Sequence, residues 1–211
     1  GGRELNYISD VDVVFICEPS RAEVGTDVAM RVGQQIASKV MQIANAATSE
    51  GSIWEVDAAL RPEGKAGALV RTIDSYVAYY RKWAKTWEYQ ALLKARPAAG
   101  DMALGAQYVD AVADFVWTAA DRENFVDDVQ AMRRRVEEHI PRKEADREIK
   151  LGRGGLRDVE FAVQLLQLVH GRSDVKLRSP NPLSALESLA TWGYVGREDA
   201  SSMGAAYRFL R

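Results

Sequence analysis

Apolar positions change period along this chain, from a short strand-like run near the start to helical spacing over most of the rest. Val11, Val13, Val14, Phe15 and Ile16 follow Ser9, Asp10 and Asp12, which predicts a buried β-strand with an acidic start. From Asp27 to Asn45 the residues Val28, Val32, Ile36, Val40 and Ile43 recur at three and four, so a helix is expected there with that face packed on the sheet. Ala46 to Ser52 is turn chemistry, and Ile53 to Leu60 reads as a second strand. A long helical pattern begins at Thr72, with Ile73, Val77, Tyr80, Trp83 or Ala84, and Trp87 on one side. Its aromatics belong either to the core or to a surface that stacks on a base.

Pro97 to Gly100 breaks that run, and Asp101 is placed to cap a helix carrying Leu104, Tyr108, Val109, Val112, Phe115 and Val116. A second break falls at Ala119 to Asp121. Phe125, Val129, Met132, Val136 and Ile140 then mark a helix whose arginines, Arg133, Arg134 and Arg135, are expected on the solvent side, balanced by Glu137 and Glu138, or as a docking surface for an acidic partner. Pro141 to Ile149 is a charged linker. Lys150-Leu151-Gly152-Arg153-Gly154-Gly155 opens an apolar helix through Phe161, Leu165, Leu166 and Val169, expected to be buried. The order of strands and helices predicts an α+β chain, with a domain boundary near residue 120 separating residues 1–120 from residues 121–211.

Composition narrows the function classes. The 211 residues carry a formal charge of −2, too little positive charge for a general nucleic-acid binder. No apolar run approaches a membrane span or a signal-peptide core. The single cysteine, Cys17, ends an apolar run and is expected as a buried small hydrophobe. Neither His139 nor His170 has the companions of a zinc site.

The chemistry concentrates in carboxylates. Asp10 and Asp12 are two apart, hence on one face of a strand, and Asp is depleted in strands. They are either a solvated strand entrance or half of a cation site. Asp57, in the second strand, would be a third carboxylate, and like charges brought together disfavour one another's ionisation unless a cation intervenes. Oxygen-only ligands suit Mg²⁺ or Mn²⁺, which completes its shell with water and phosphate oxygens. Gly1 and Gly2 permit a phosphate to approach backbone N–H groups, or form a turn, and Ser9 adds a hydroxyl. The glycines before Leu156 either expose helix N–H groups as an anion site, reinforced by Lys150, Arg153 and Arg157, or merely allow a tight turn with Arg157 paired to Asp158 or Glu160.

Four segments in order resemble one family: Gly1-Gly2-Arg3-Glu4-Leu5 with Ser9-Asp10-Val11-Asp12; Val56-Asp57 with Leu60-Arg61-Pro62, Gly64 and Gly67; Trp87-Glu88-Tyr89-Gln90-Ala91-Leu92-Leu93-Lys94-Ala95-Arg96; and Gly154-Gly155-Leu156-Arg157-Asp158-Val159-Glu160-Phe161. The chain resembles the nucleotidyltransferase domains of the glutamine synthetase adenylyltransferase family. Ala58-Ala59 departs from it, since an arginine commonly stands between the VD and LRP segments.

The resemblance implies a nucleotidyltransferase-type small mixed β-sheet with flanking helices, followed by an all-α bundle. It implies Asp10, Asp12 and Asp57 as catalytic, metal-holding residues, and Gly1, Gly2, Ser9 and Arg61, with Lys94, Arg96, Lys150 and Arg157, as phosphate and nucleotide contacts. Lys94 and Arg96 would share a helix and point about 200° apart, so one of the two is expected to reach the site. Asn6 points to the deadenylylating half, in which phosphate attacks adenylyl-tyrosine and ADP leaves. The alternatives are adenylylation of that tyrosine from ATP, a non-catalytic module binding nucleotide or a signal protein, and the related uridylyltransferase of PII. Glutamine synthetase, the nitrogen-signalling PII protein, adenine nucleotide and phosphate are the implied partners, and the cytoplasm the implied location. The chain opens inside the first motif and is expected to be part of a longer protein.

Overall fold

The computed structural model describes residues 9–21, 23–52, 54–141, 143 and 145–211. Among them the chain divides into two compact units, one drawn from residues 9–84 and Arg96–Ala113, the other from Lys85–Ala95 and Asp114–Arg211. A single cut at residue 120 does not describe this division, because the segment Lys85–Ala95 groups with the later helices.

The first unit holds the strands. β1 (Val11–Asp12) and β2 (Phe15–Ile16) follow one another along the predicted acidic strand. β3 (Val56–Asp57) pairs with β1 and β4 (Val70–Arg71) pairs with β2. Both ladders are parallel, where a mixed sheet was expected. The link from β1 and β2 to β3 contains α1 (Thr26–Ala44), as parallel neighbours require a long crossover. Bonds from the Val11 N–H to the Glu55 carbonyl, 2.7 Å, and from the Val13 N–H to the Asp57 carbonyl, 2.8 Å, extend the first ladder.

The bounds of α1 match the expected helix, but its packing face does not. Val28, Val32, Ile36, Val40 and Ile43 are exposed, Ile36 at 60%, whereas Ala29 and Ala37 are buried, Ala37 at 2%. Small residues explain the inversion. A Cβ added at Gly33 would stand 3.0 Å from the Cys17 sulfur and 3.3 Å from a Val70 methyl, so the ridge Ala29-Gly33-Ala37 lets the helix approach β4 closely. Dispersion across that close contact requires a face without bulk.

The predicted long helix from Thr72 is two helices. α2 (Ile73–Lys82) belongs to the first unit and α3 (Thr86–Leu92) to the second. The α2 amino terminus is well capped: the Thr72 hydroxyl accepts the Ser75 N–H at 3.2 Å and the Glu18 carboxylate accepts the Ile73 N–H at 2.8 Å. Tyr76 and Tyr80 are core residues, with Tyr76 donating to the Phe15 carbonyl at 3.2 Å, while Trp83 is exposed. Asp101 caps α4 (Met102–Trp117), as predicted, by accepting the Ala103 and Leu104 N–H groups at 2.9 and 3.0 Å.

In the second unit, α6 (Leu156–His170), α7 (Pro182–Thr191) and α8 (Arg197–Leu210) surround a core of Leu156, Val159, Val163, Leu177, Ala185, Leu186, Leu189, Ala200 and Tyr207, and α5 (Phe125–Glu138) packs against α3 and α6. The breaks at Ala119–Asp121 and at His170 lie where the sequence puts them. α6 is not buried all round. Gln164 and Gln167 are buried and Val169 is exposed. Gln167 earns its place by donating to the carbonyls of Leu177 and Ser179 at 2.7 and 2.8 Å, which fixes the turn between α6 and α7. No described helix is long and apolar enough to cross a membrane.

Candidate active site

The parallel register places Asp12 opposite Asp57. Strand neighbours lie about 4.8 Å apart and register partners in a parallel pair leave the sheet on the same face, so the two carboxylates are neighbours. Asp10 is exposed, Val11 is half-buried and Asp12 is exposed, an alternation that puts Asp10 on the outward side with Asp12. Among the described residues no three His, Cys, Asp or Glu side chains stand close enough together to form a ready-made metal cage. The structure thus brings Asp12 and Asp57 together as a pair and leaves Asp10 a strand repeat away.

That donor set still fits a hard divalent cation. Magnesium is commonly held by one or two carboxylates, with water and substrate phosphates completing the shell. A pair of adjacent oxygen donors has this character.

Two devices hold the pair. The Asn45 side chain, at the carboxyl end of α1, bonds both backbone groups of Val56: its amide donates to the Val56 carbonyl at 3.0 Å and its oxygen accepts the Val56 N–H at 2.6 Å. One side chain therefore does the work of a neighbouring strand for β3, a role the sequence reading missed because nothing local distinguishes Asn45 from an ordinary helix end. Beyond β3, the Asp57 carboxylate accepts the Ala59 N–H at 2.7 Å, an Asx-turn that fixes its rotamer and starts the following loop. Ala58, the residue after Asp57, is buried at 1% exposure.

Arg61 is a loop staple. Its guanidinium donates to the carbonyls of Ala58 at 2.7 Å, Lys65 at 3.0 Å and Gly67 at 3.1 Å. Gly67 is the complementary requirement, since a Cβ there would lie 2.0 Å from the Pro62 carbonyl oxygen. The Leu60-Arg61-Pro62 and glycine pattern is legible as one folded loop. A pocket of about 450 Å³ opens beside it, lined in part by Asp57, Arg61, Lys65, Gln34 and Met41.

Several of the other expected contacts are engaged elsewhere. Gly1 and Gly2 lie outside the described residues. The Ser9 hydroxyl donates to the Asp10 carbonyl at 3.2 Å. Arg96 is exposed and donates to the Pro97 carbonyl at 3.2 Å, and it does not share a helix with Lys94, because α3 stops at Leu92. Lys94 and Arg157 both bind Glu160, at 2.8 and 3.0 Å, within the second unit. Lys150 is exposed, and its backbone N–H is taken by Glu148 at 3.0 Å.

The glycine-rich start of α6 is a tight turn. The N–H groups of Gly155, Leu156, Arg157 and Asp158 bond the carbonyls of Gly152, Ile149, Lys150 and Gly155, and the Gly154 N–H bonds the Asp158 carboxylate at 2.6 Å. The expected exposed donors of an anion site are thus satisfied internally. A Cβ at Gly155 would come 2.7 Å from the Ile149 oxygen, which is why glycine stands there. Arg133, expected in solvent, turns in to this loop instead, bonding Asp158 at 2.5 Å and the Gly152 carbonyl at 3.0 Å. Arg134 and Arg135 are exposed as expected.

Burial pushes the thiol of Cys17 up, with the neighbouring Glu18 adding to the shift. Its sulfur points at the Ala29 carbonyl, 3.4 Å away, under α1.

The model of the glutamate-ammonia ligase adenylyltransferase family matches residues 1–111, and that of a PII-uridylyltransferase matches residues 130–211. The chain is 64% identical to a bifunctional glutamine synthetase adenylyltransferase/adenylyl-removing enzyme of Streptomyces coelicolor, 61% to its counterpart in Streptomyces avermitilis and 60% to that of Mycolicibacterium smegmatis. Each match covers 100% of this chain but only 20 to 21% of the relative, so the chain spans about a fifth of their length.

Proposed function

The chain belongs to the glutamate-ammonia ligase adenylyltransferase family, and from that membership and the aspartate pair we propose that it carries the nucleotidyl-transfer site that removes AMP from an adenylylated tyrosine of glutamine synthetase. In this reaction an oxygen of inorganic phosphate bonds to the α-phosphorus of adenylyl-tyrosine, the bond from phosphorus to the tyrosine oxygen breaks, ADP leaves, and the phenol regains its proton. The parallel register that seats Asp12 beside Asp57 carries the reading.

Asp12 and Asp57, with Asp10 flanking, are the residues that would hold Mg²⁺ or Mn²⁺. Bound there, the cation would polarise phosphoryl oxygens and offset charge passing between entering and leaving groups. The protein's own part is to keep the two carboxylates in register. The β1–β3 ladder does this, with Asn45 closing the far side of β3 and the Ala59 N–H fixing Asp57. The strand-bearing unit would supply a nucleotidyltransferase-type scaffold for that pair. The partners on this reading are glutamine synthetase, adenine nucleotide, phosphate and the PII protein, in the cytoplasm.

The test is to incubate adenylylated glutamine synthetase with inorganic phosphate, Mg²⁺ and this chain, alone and within the longer polypeptide of its relatives. ADP is the expected product. Free AMP, or labelling of the unmodified synthetase from ATP without ADP release from the adenylylated form, would overturn the deadenylylating assignment.

A further inference from the structure

The pocket beside Asp57 contains a cation that the loop presents without using it. Its volume, about 450 Å³, lies within the range of small-molecule sites, and its walls come from α1, through Gln34 and Met41, and from the loop through Leu69. Three lining residues are charged: Asp57, Arg61 and Lys65. Among the described residues neither Arg61 nor Lys65 has a carboxylate partner. Two cations against one carboxylate leave a positive excess in a partly sheltered concavity, where an anion is favoured.

The two cations are not equivalent. Arg61 is committed to three backbone carbonyls, so its position is fixed. Lys65 is exposed, and it sits in the 3₁₀ turn Gly64–Ala66, whose backbone is held by those same bonds. The turn is further determined by the left-handed conformations of Glu63, φ 63°, and Gly64, φ 59°, and by the absence of a side chain at Gly67. A rigid turn thus carries a long side chain ending in a compact ammonium, the form of cation that follows a phosphate as a point charge.

We propose that this pocket binds a phosphate group, that Lys65 is the side chain contacting it, and that Arg61 is a positioning residue that fixes the turn from which Lys65 reaches. The group is either inorganic phosphate or the phosphate of a nucleotide. The proposal rests on the reading that phosphoryl chemistry takes place at the Asp12–Asp57 pair, and it adds to that reading a residue outside the motif and a structural role for Arg61.

The experiment is calorimetric titration of the 211-residue chain, with Mg²⁺, using inorganic phosphate, ADP and adenosine as separate probes. Lys65→Met is expected to weaken phosphate and ADP about tenfold or more and to leave adenosine unchanged, with Lys65→Arg recovering most of the loss. Weakening of ADP alone would identify the nucleotide as the source of the phosphate, and weakening of inorganic phosphate alone would identify the free ion. Arg61→Lys is expected to weaken phosphate binding and to speed amide exchange across Ala58–Gly67, an exchange that Lys65→Met leaves unchanged. Phosphate and ADP binding undiminished in Lys65→Met would overturn the proposal. If Asp57→Asn still abolished ADP formation in that case, the aspartate reading would survive without it, whereas a wild-type chain with affinity for neither phosphate nor ADP would remove both.

Discussion

Asp12 and Asp57 are register partners across the parallel ladder of β1 and β3, and the chain between them runs through β2 and the helix-bearing crossover. That relationship comes from tertiary structure. The pair exists because α1 returns the chain to the edge of β1 and because Asn45 then satisfies the outer backbone groups of Val56. Stability of this crossover is therefore a condition for the site.

The crossover helix offers the sharpest contrast between pattern and packing. Ile36 is 60% exposed and Ala37 is 2% exposed, though the sequence periodicity ranks them the other way. Ile36→Ser is expected to change unfolding free energy by about 0.5 kcal/mol or less, and Ala37→Leu to destabilise by about 1–3 kcal/mol through overpacking. Urea unfolding of the two variants measures both. A larger loss from Ile36→Ser would mean that the apolar stripe, not the small one, faces the sheet.

Much of the chain was legible from periodicity and caps. The extent of α1, the Asp101 cap, the break at Ala119–Asp121 and the end of α6 at His170 are local facts, set by spacing and by residues that accept free N–H groups. The buried face of α1 was not legible, because periodicity reports where apolar bulk recurs, whereas close approach selects Ala29, Gly33 and Ala37 for their lack of it. For the same reason the roles of Arg61 and Arg133 were hidden. Both guanidiniums look like surface charge or ligand contacts in sequence, and each is claimed by carbonyls that come within reach only after a loop closes. The site was half visible: the aspartates stood out as residues that strands avoid, while the clamp by Asn45 depends on which strand the helix end meets.

Arg133 provides a second test. It is largely buried against Asp158 and the Gly152 carbonyl, while Arg134 is exposed. Arg133→Met is expected to destabilise by about 1–3 kcal/mol, since Asp158 and a carbonyl lose a charged donor. Arg134→Met should stay within about 0.5 kcal/mol. Chemical denaturation monitored by tryptophan fluorescence separates the two, and equal effects would contradict the inward turn of Arg133.

Alkaline titration gives a third. Tyr76, Tyr80 and Tyr108 form a buried cluster, with the hydroxyls of Tyr80 and Tyr108 3.1 Å apart and the rings of Tyr76 and Tyr108 edge to face at 5.0 Å. Burial raises the phenols of Tyr76 and Tyr108 above the ordinary tyrosine range; the positive charges of Arg71 and Arg61 partly oppose this at Tyr76, and the hydrogen bond with Tyr80 does so at Tyr108. A phenol whose folded pKa is raised contributes stability that is complete below the unfolded value, about 10, and is lost as pH climbs through the folded value. Phenolate absorbance should therefore rise in two stages, the second coinciding with loss of ellipticity. A single stage near pH 10 with structure retained would show these hydroxyls to be open to solvent.

The most direct measurement is the binding of Mn²⁺ to the chain by electron paramagnetic resonance, in the presence of ADP, for the wild type, Asp12→Asn and Asp57→Asn, with ADP formation from adenylylated glutamine synthetase followed in parallel. Each substitution removes one charge at nearly constant volume, so the fold should persist by circular dichroism while Mn²⁺ affinity drops by about tenfold or more and turnover is lost. Mn²⁺ bound as tightly by Asp57→Asn as by the wild type, with turnover retained, would show that the cation and the chemistry lie elsewhere.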